Sequence, residues 1–132
     1  MASGLYAKAR KAFLDGDMDW LVDVMKVVLI DVADYAVDLA AHDFLNDVAV
    51  AARVGTPVTL TCQSVGDGVA DATDATLTAV TGDPCEAILI YKFVTNDADS
   101  IPVAYIDGIT VTPNGGNITI QWDAGANRIF KL

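Results

Sequence analysis

The residues able to do chemistry are few, and their spacing does not suit it. His42 is the chain's one histidine. It stands beside Asp43, but adjacent residues on a helix point in different directions, so the two are not a base and its orienting carboxylate. No G-x-S-x-G, H-E-x-x-H, Walker or G-x-G-x-x-G pattern occurs anywhere in the chain. Asp67, Asp71 and Asp74 in DGVADATD could offer oxygens to a hard cation, yet the D-x-D-x-D-G series and closing glutamate of a calcium loop are missing. They read as turn carboxylates, as do Asp97 and Asp99. Cys62 and Cys85 fall in separate expected strands rather than at CxxC spacing, and read as small buried apolar residues. A reducing cytoplasm argues against a bridge between them. The expectation is no catalytic residue, no metal, no cofactor and no enzyme.

Composition narrows the partners. The 132 residues carry a net charge of −10, a field that repels nucleic acid phosphates and anionic lipid. Asp23, Lys26 and Asp31 break the richest apolar region before it reaches the about 18 residues of a membrane span, so neither nucleic acid nor membrane is expected as a partner. The N-terminal stretch lacks the continuous apolar core of a secretory signal. A chain of this length reads as one domain able to bury a core of its own, with an N-terminal helix or arm over 1–20 and a β domain over 21–132.

The elements that must position any site are mostly strands. PCEAILIYKF, residues 84–93, is apolar on both faces, which predicts a central strand over 85–94. NITIQWD, residues 117–123, alternates Ile118, Ile120 and Trp122 against polar neighbours and reads as an edge strand beside it. Val24 to Ile30 predicts a first strand at about 24–31. TPVTLTCQ, residues 56–63, and residues 75–81 read as a hairpin turned at Gly66-Asp67-Gly68. Residues 101–107 form a returning strand, with Pro102 at its start or on an edge, and 128–132 a last short one. Asp38 is an expected N-cap for a short helix or helical turn over 38–45. Turn signals every ten to fifteen residues point to a mainly β fold: an antiparallel, jelly-roll-like β-sandwich with one N-terminal helix and one short helical crossover.

Interface candidates lie near the N-terminus. Leu5, Ala9, Ala12 and Phe13 make an apolar stripe at helical spacing, which either caps the sandwich core or docks on a partner. Asp15, Asp17, Asp19 and Asp23 lie next to Trp20, and read either as a solvated bend between helix and strand or as an acidic rim framing an apolar anchor. Leu5, Tyr6, Phe13 and Trp20 are therefore the expected protein-interface residues.

The segments LYAKARKAFLDGDMDWL, KVVLIDVADY, HDFLNDV, AARV, GDPCEAILIYK, AYID and TPNGGNITIQWDAGANRIFKL together resemble a family of small structural proteins of tailed bacteriophages. The similarity runs from about residue 4 to the C-terminus, and its closing segment is the most specific part. Members carry a longer insertion between the YK strand and AYID, where this chain has only the loop around Asn96 to Ser100. The resemblance implies a virion protein without enzymatic activity, a decoration or cement protein on the outer surface of the head. Its implied partners are the major capsid protein and further copies of itself around a local symmetry axis. A tail, neck or fibre component is the rival within that class. A small carbohydrate-binding module is the rival outside it, and would expose Trp122 and Tyr105.

Overall fold

The computed structural model describes residues 3–122, 125 and 128–132. The fold is mainly β, with 38% strand against 14% helical residues. Its strands are β1 (Gly4–Leu5), β2 (Met25–Ile30), β3 (Arg53–Thr59), β4 (Ser64–Gly66), β5 (Val69–Asp71), β6 (Ala75–Leu77), β7 (Cys85–Lys92), β8 (Ile101–Val111), β9 (Ile118–Ile120) and β10 (Phe130–Lys131), with one α-helix, α1 (Ala7–Asp15).

Five strands form an antiparallel sheet in the order β1-β8-β7-β2-β3. β7 is its middle strand, and Ala87 through Tyr91 are buried on both faces. Beside it, Val27 to Ile30 have no solvent exposure. Each such aliphatic side chain contributes about 1.5–3 kcal/mol by leaving water, so these two strands anchor the molecule. Pro102 lies within the first residues of β8, next to a register shift at Ile90/Tyr91, where its missing N–H costs least.

Alternation along the strands separates two faces. Leu29, Ile88 and Ile106 stand in register on one face. They meet Ile118 and Ile120 of the β6-β9 pair, Trp122, and Ile129 just before the β10-β5-β4 sheet. Val28, Leu89 and Tyr105 occupy the other face. There the cover is irregular: Tyr35 lies edge-on to Tyr105 at 6.1 Å, and 3-10 turns run over Val32–Asp34, Leu45–Asp47 and Val50–Ala52. The layering is sandwich-like, a full sheet against two small ones.

The edges of the main sheet are blunt. β3 carries Pro57, and between the pairs Val27↔Val58 and Leu29↔Val54 its register shifts through a bulge containing Gly55 at φ +81°. Such features disfavour open-ended strand addition. On the opposite side β1 covers only Ala104 and Tyr105 of the long β8.

Three expectations about pairing are corrected. The 117–123 segment does not border β7; its strand is β9, paired with β6, while Asp123 lies outside the described residues. Residues 56–63 and 75–81 do not form a hairpin: β3 pairs with β2 and β6 with β9. The Gly66-Asp67-Gly68 turn instead closes β4 onto β5, with Asp67 and Gly68 both at positive φ, the geometry of the tight hairpin turn. Cys62 sits exposed in the loop after β3 rather than buried in a strand. The crossover at 38–45 is a single helical turn. His42 N donates to Asp38 O at 3.0 Å, and Asp38 Oδ1 accepts from the N–H groups of Ala40 and Ala41.

Candidate functional site

The four expected interface residues belong largely to the interior. Tyr6 is fully buried, and its backbone N donates to Val103 O while Ala7 N donates to Leu39 O. These bonds satisfy the first donors of α1 and fix the N-terminal segment to the domain, so 1–20 is not a free arm over its described residues. Trp20 is 4% exposed, stands edge-on to Phe130 at 5.2 Å and donates from Nε1 to Asp71 O. Phe13 is half-buried against the same Phe130 ring. Leu5 is half-buried within β1. An apolar stripe has the same spacing whether it covers its own core or a partner's, which is why the sequence could not separate the two.

What the N-terminal region does present lies between those anchors. α1 ends at Gly16, whose left-handed φ of +83° suits glycine. Asp23 Oδ2 then accepts from Asp19 N, Asp19 Oδ1 from Leu21 N, and Asp19 O from both Val22 N and Asp23 N. Lys92 Nζ clamps the base of this turn, 3.4 Å from Asp23 and donating to Asp17 O. The turn drives Trp20 inward and holds Leu21 and Val22 outward, 52% and 76% exposed, with Leu14 at 82% on the adjoining end of α1. Leu21 and Val22, adjacent and exposed on a hydrogen-bonded scaffold, are a candidate interaction surface. The missed signal was the Asp19-to-Asp23 spacing, which makes the turn.

Beside this region lies a cleft of about 530 Å³ between β1, the outer edge of β8, α1 and β10. Leu5, Leu14, Phe130 and Leu132 supply its apolar lining, and Arg10 and Lys131 its charge. The chain has eight lysines and arginines. Lys11, Arg53, Lys92 and Arg128 make ion pairs, and Lys8 and Lys26 lie over the rings of Phe44 and Phe93. Among the described residues, Arg10 and Lys131 are the two cations with neither an ion pair nor an aromatic ring, and both face this cleft.

The titratable groups elsewhere are tied into structure. His42 Nδ1 accepts from Asp38 N and lies 2.8 Å from the Tyr35 hydroxyl, which is 2.8 Å from that of Tyr6. Because Nδ1 accepts from Asp38, Tyr35 donates to it and receives in turn from Tyr6. Burial raises the hydroxyl pKa values of Tyr6, Tyr35 and Tyr105. Burial likewise lifts the Cys85 thiol to about 11, with Glu86, Asp31 and Asp83 adding to it. No nucleophile beside a base emerges from this chain of contacts. Of the acidic turns, Asp71 pairs with Arg128 at 3.4 Å and Asp74 Oδ1 accepts from Trp122 N. Among the described residues, the carboxylates that do converge are Asp31, Asp34 and Asp83, within 4.8 Å of one another, the third brought to the first two only by the fold.

Of the two aromatic residues named for a carbohydrate module, Tyr105 is fully buried and Trp122 half-buried, its Nε1 donating to Thr73 O. No helix of the described residues is long and apolar enough to cross a membrane. No family model matches the chain, and no curated protein matches it either.

Proposed function

We propose that this chain is a structural protein of a tailed-phage virion, a decoration or cement protein on the outer surface of the head, with no enzymatic role. The sequence resemblance suggests the class. The observation that carries the reading is the turn at Asp19 to Asp23, which spends several hydrogen bonds on holding Leu21 and Val22 in solvent. Burying Trp20 serves the isolated domain, but the exposure of Leu21 and Val22 on the same turn serves a protein that works by docking. The compact β scaffold, with short edges and a bulged β3, suits a part that must associate at one defined surface without polymerising.

The mechanism is linkage. A protein that binds neighbouring capsid subunits only when they are assembled stabilises the assembled state by mass action, about 2.7 kcal/mol per site at a hundredfold excess over Kd. Copies gathered round a local symmetry axis would form a closed oligomer matching the repeat of the shell. Quantitative mass spectrometry of purified particles tests the reading. The expected result is this chain in copy numbers comparable to the major capsid protein, and its absence would overturn the proposal.

A further inference from the structure

We infer that the acidic apolar turn at Asp17 to Asp23 of one copy seats in the cationic cleft of a second copy, so that the chain associates through these two complementary surfaces. The inference deepens the self-association part of the reading above and rests on it only there.

The two surfaces are complementary in charge and in polarity. Leu21 and Val22 are the projecting apolar pair, flanked by Asp17 and Asp19, neither of which has an ion pair among the described residues. The cleft offers the converse, apolar walls of Leu5, Leu14 and Phe130 with Arg10 and Lys131 unpaired at its rim. In a chain of net charge −10, four of the eight lysines and arginines are ion-paired and two lie over aromatic rings among the described residues, and the other two, Arg10 and Lys131, line one apolar hollow. A surface of that kind selects an apolar segment carrying carboxylates. This protein displays such a segment, held rigid by its own hydrogen bonds, so that little ordering entropy opposes docking. The turn and the cleft adjoin through Leu14, α1 and the Trp20–Phe130 contact, hence a two-fold pair can use both at once, each turn entering the other copy's cleft. Two copies repel at long range, but at physiological salt the screening length of about 8 Å removes most of that while contact pairs persist.

The test is sedimentation velocity over a concentration series at physiological salt, with circular dichroism to verify folding. Three variants are compared with the parent: Val22→Asp, the cleft variant Arg10→Glu/Lys131→Glu, and Asp17→Lys. All four positions are solvent-exposed, so the fold should survive. The parent is expected to associate, and the first two variants to lose at least about tenfold in affinity, roughly 1.4 kcal/mol. Mixing the cleft variant with Asp17→Lys should restore association, since a mixed pair has one native contact and one with both charges reversed. A monomeric parent at all concentrations overturns the inference. So does association indifferent to Val22→Asp and the cleft changes, or a mixture that fails to recover. None of these results alters the copy number in particles, so this inference and the virion reading fail separately.

Discussion

The hydroxyls of Tyr6 and Tyr35 lie 2.8 Å apart in the interior, joining the start of α1 to the irregular cover of the main sheet. The Tyr35 hydroxyl in turn hydrogen-bonds His42 Nδ1 at 2.8 Å, so it holds the middle of the chain. Removing the middle hydroxyl strands a partner, whereas removing the first does not. Tyr35→Phe is therefore expected to cost roughly 1–3 kcal/mol and Tyr6→Phe only about 0.5–1.5 kcal/mol. Tyr105, whose buried hydroxyl has no hydrogen-bond partner among the described residues, makes the contrast: Tyr105→Phe should be neutral or stabilising. Denaturant melts of the three variants check the order, and a Tyr105→Phe loss as large as that of Tyr35→Phe would contradict it.

Alkaline sensitivity follows from the buried thiol and phenols. Cys85 would lose its proton near 9.0 in the unfolded chain but only at about 11 in the folded one. A raised folded pKa means the stability is intact below the unfolded value and drains as pH climbs towards the folded one. Unfolding free energy should thus fall between pH 9 and about 11, with the buried tyrosines, whose pKa values are raised from 10.0, steepening the loss above pH 10. In Cys85→Ala the slope from pH 9 to 10 should flatten even if absolute stability drops. An unchanged slope would refute this assignment.

Trp20 was a docking candidate by sequence and is a core residue by structure. Trp20→Ala removes its packing on Phe130 and the bond to Asp71 O, and should cost about 3–5 kcal/mol. Val22→Asp, two residues on and 76% exposed, should change monomer stability by less than about 0.5 kcal/mol. Equal effects of the two substitutions on a thermal melt would undo the inside-outside assignment of this turn.

Asp31, Asp34 and Asp83 place like charges within 4.8 Å. Asp83→Asn relieves part of that repulsion at an exposed site, for an expected gain of up to about 1 kcal/mol that shrinks with added salt. A lower Tm for the variant at low ionic strength would contradict this account.

The centre of the fold was legible because β7 is apolar on both faces, and only a strand covered on each side reads that way. Helix α1 was legible from its apolar spacing and β2 from its β-branched run. Strand partners were not: the alternation of Ile118, Ile120 and Trp122 shows that one face is buried, but not that β6 is the neighbour. Cys62 alternates with Val58 and Leu60 in sequence, yet its backbone turns to φ +53° and leaves the sheet. The candidate surface was half legible. The acidic stretch drew attention to 15–23, but the obvious anchor there, Trp20, points inward, and the exposed pair is Leu21 and Val22. Arg10 and Lys131 could not be joined by reading, because 121 positions separate them and only the fold brings both to one cleft.

The central proposal is that this chain sits on an assembled shell, and the most direct measurement is cryo-electron microscopy of intact particles purified from cells that express it. The account predicts density for this β domain on the outer face of the head, at local symmetry axes and repeated across the lattice. Density confined to a single vertex, the neck or the tail, or none at all, would contradict it.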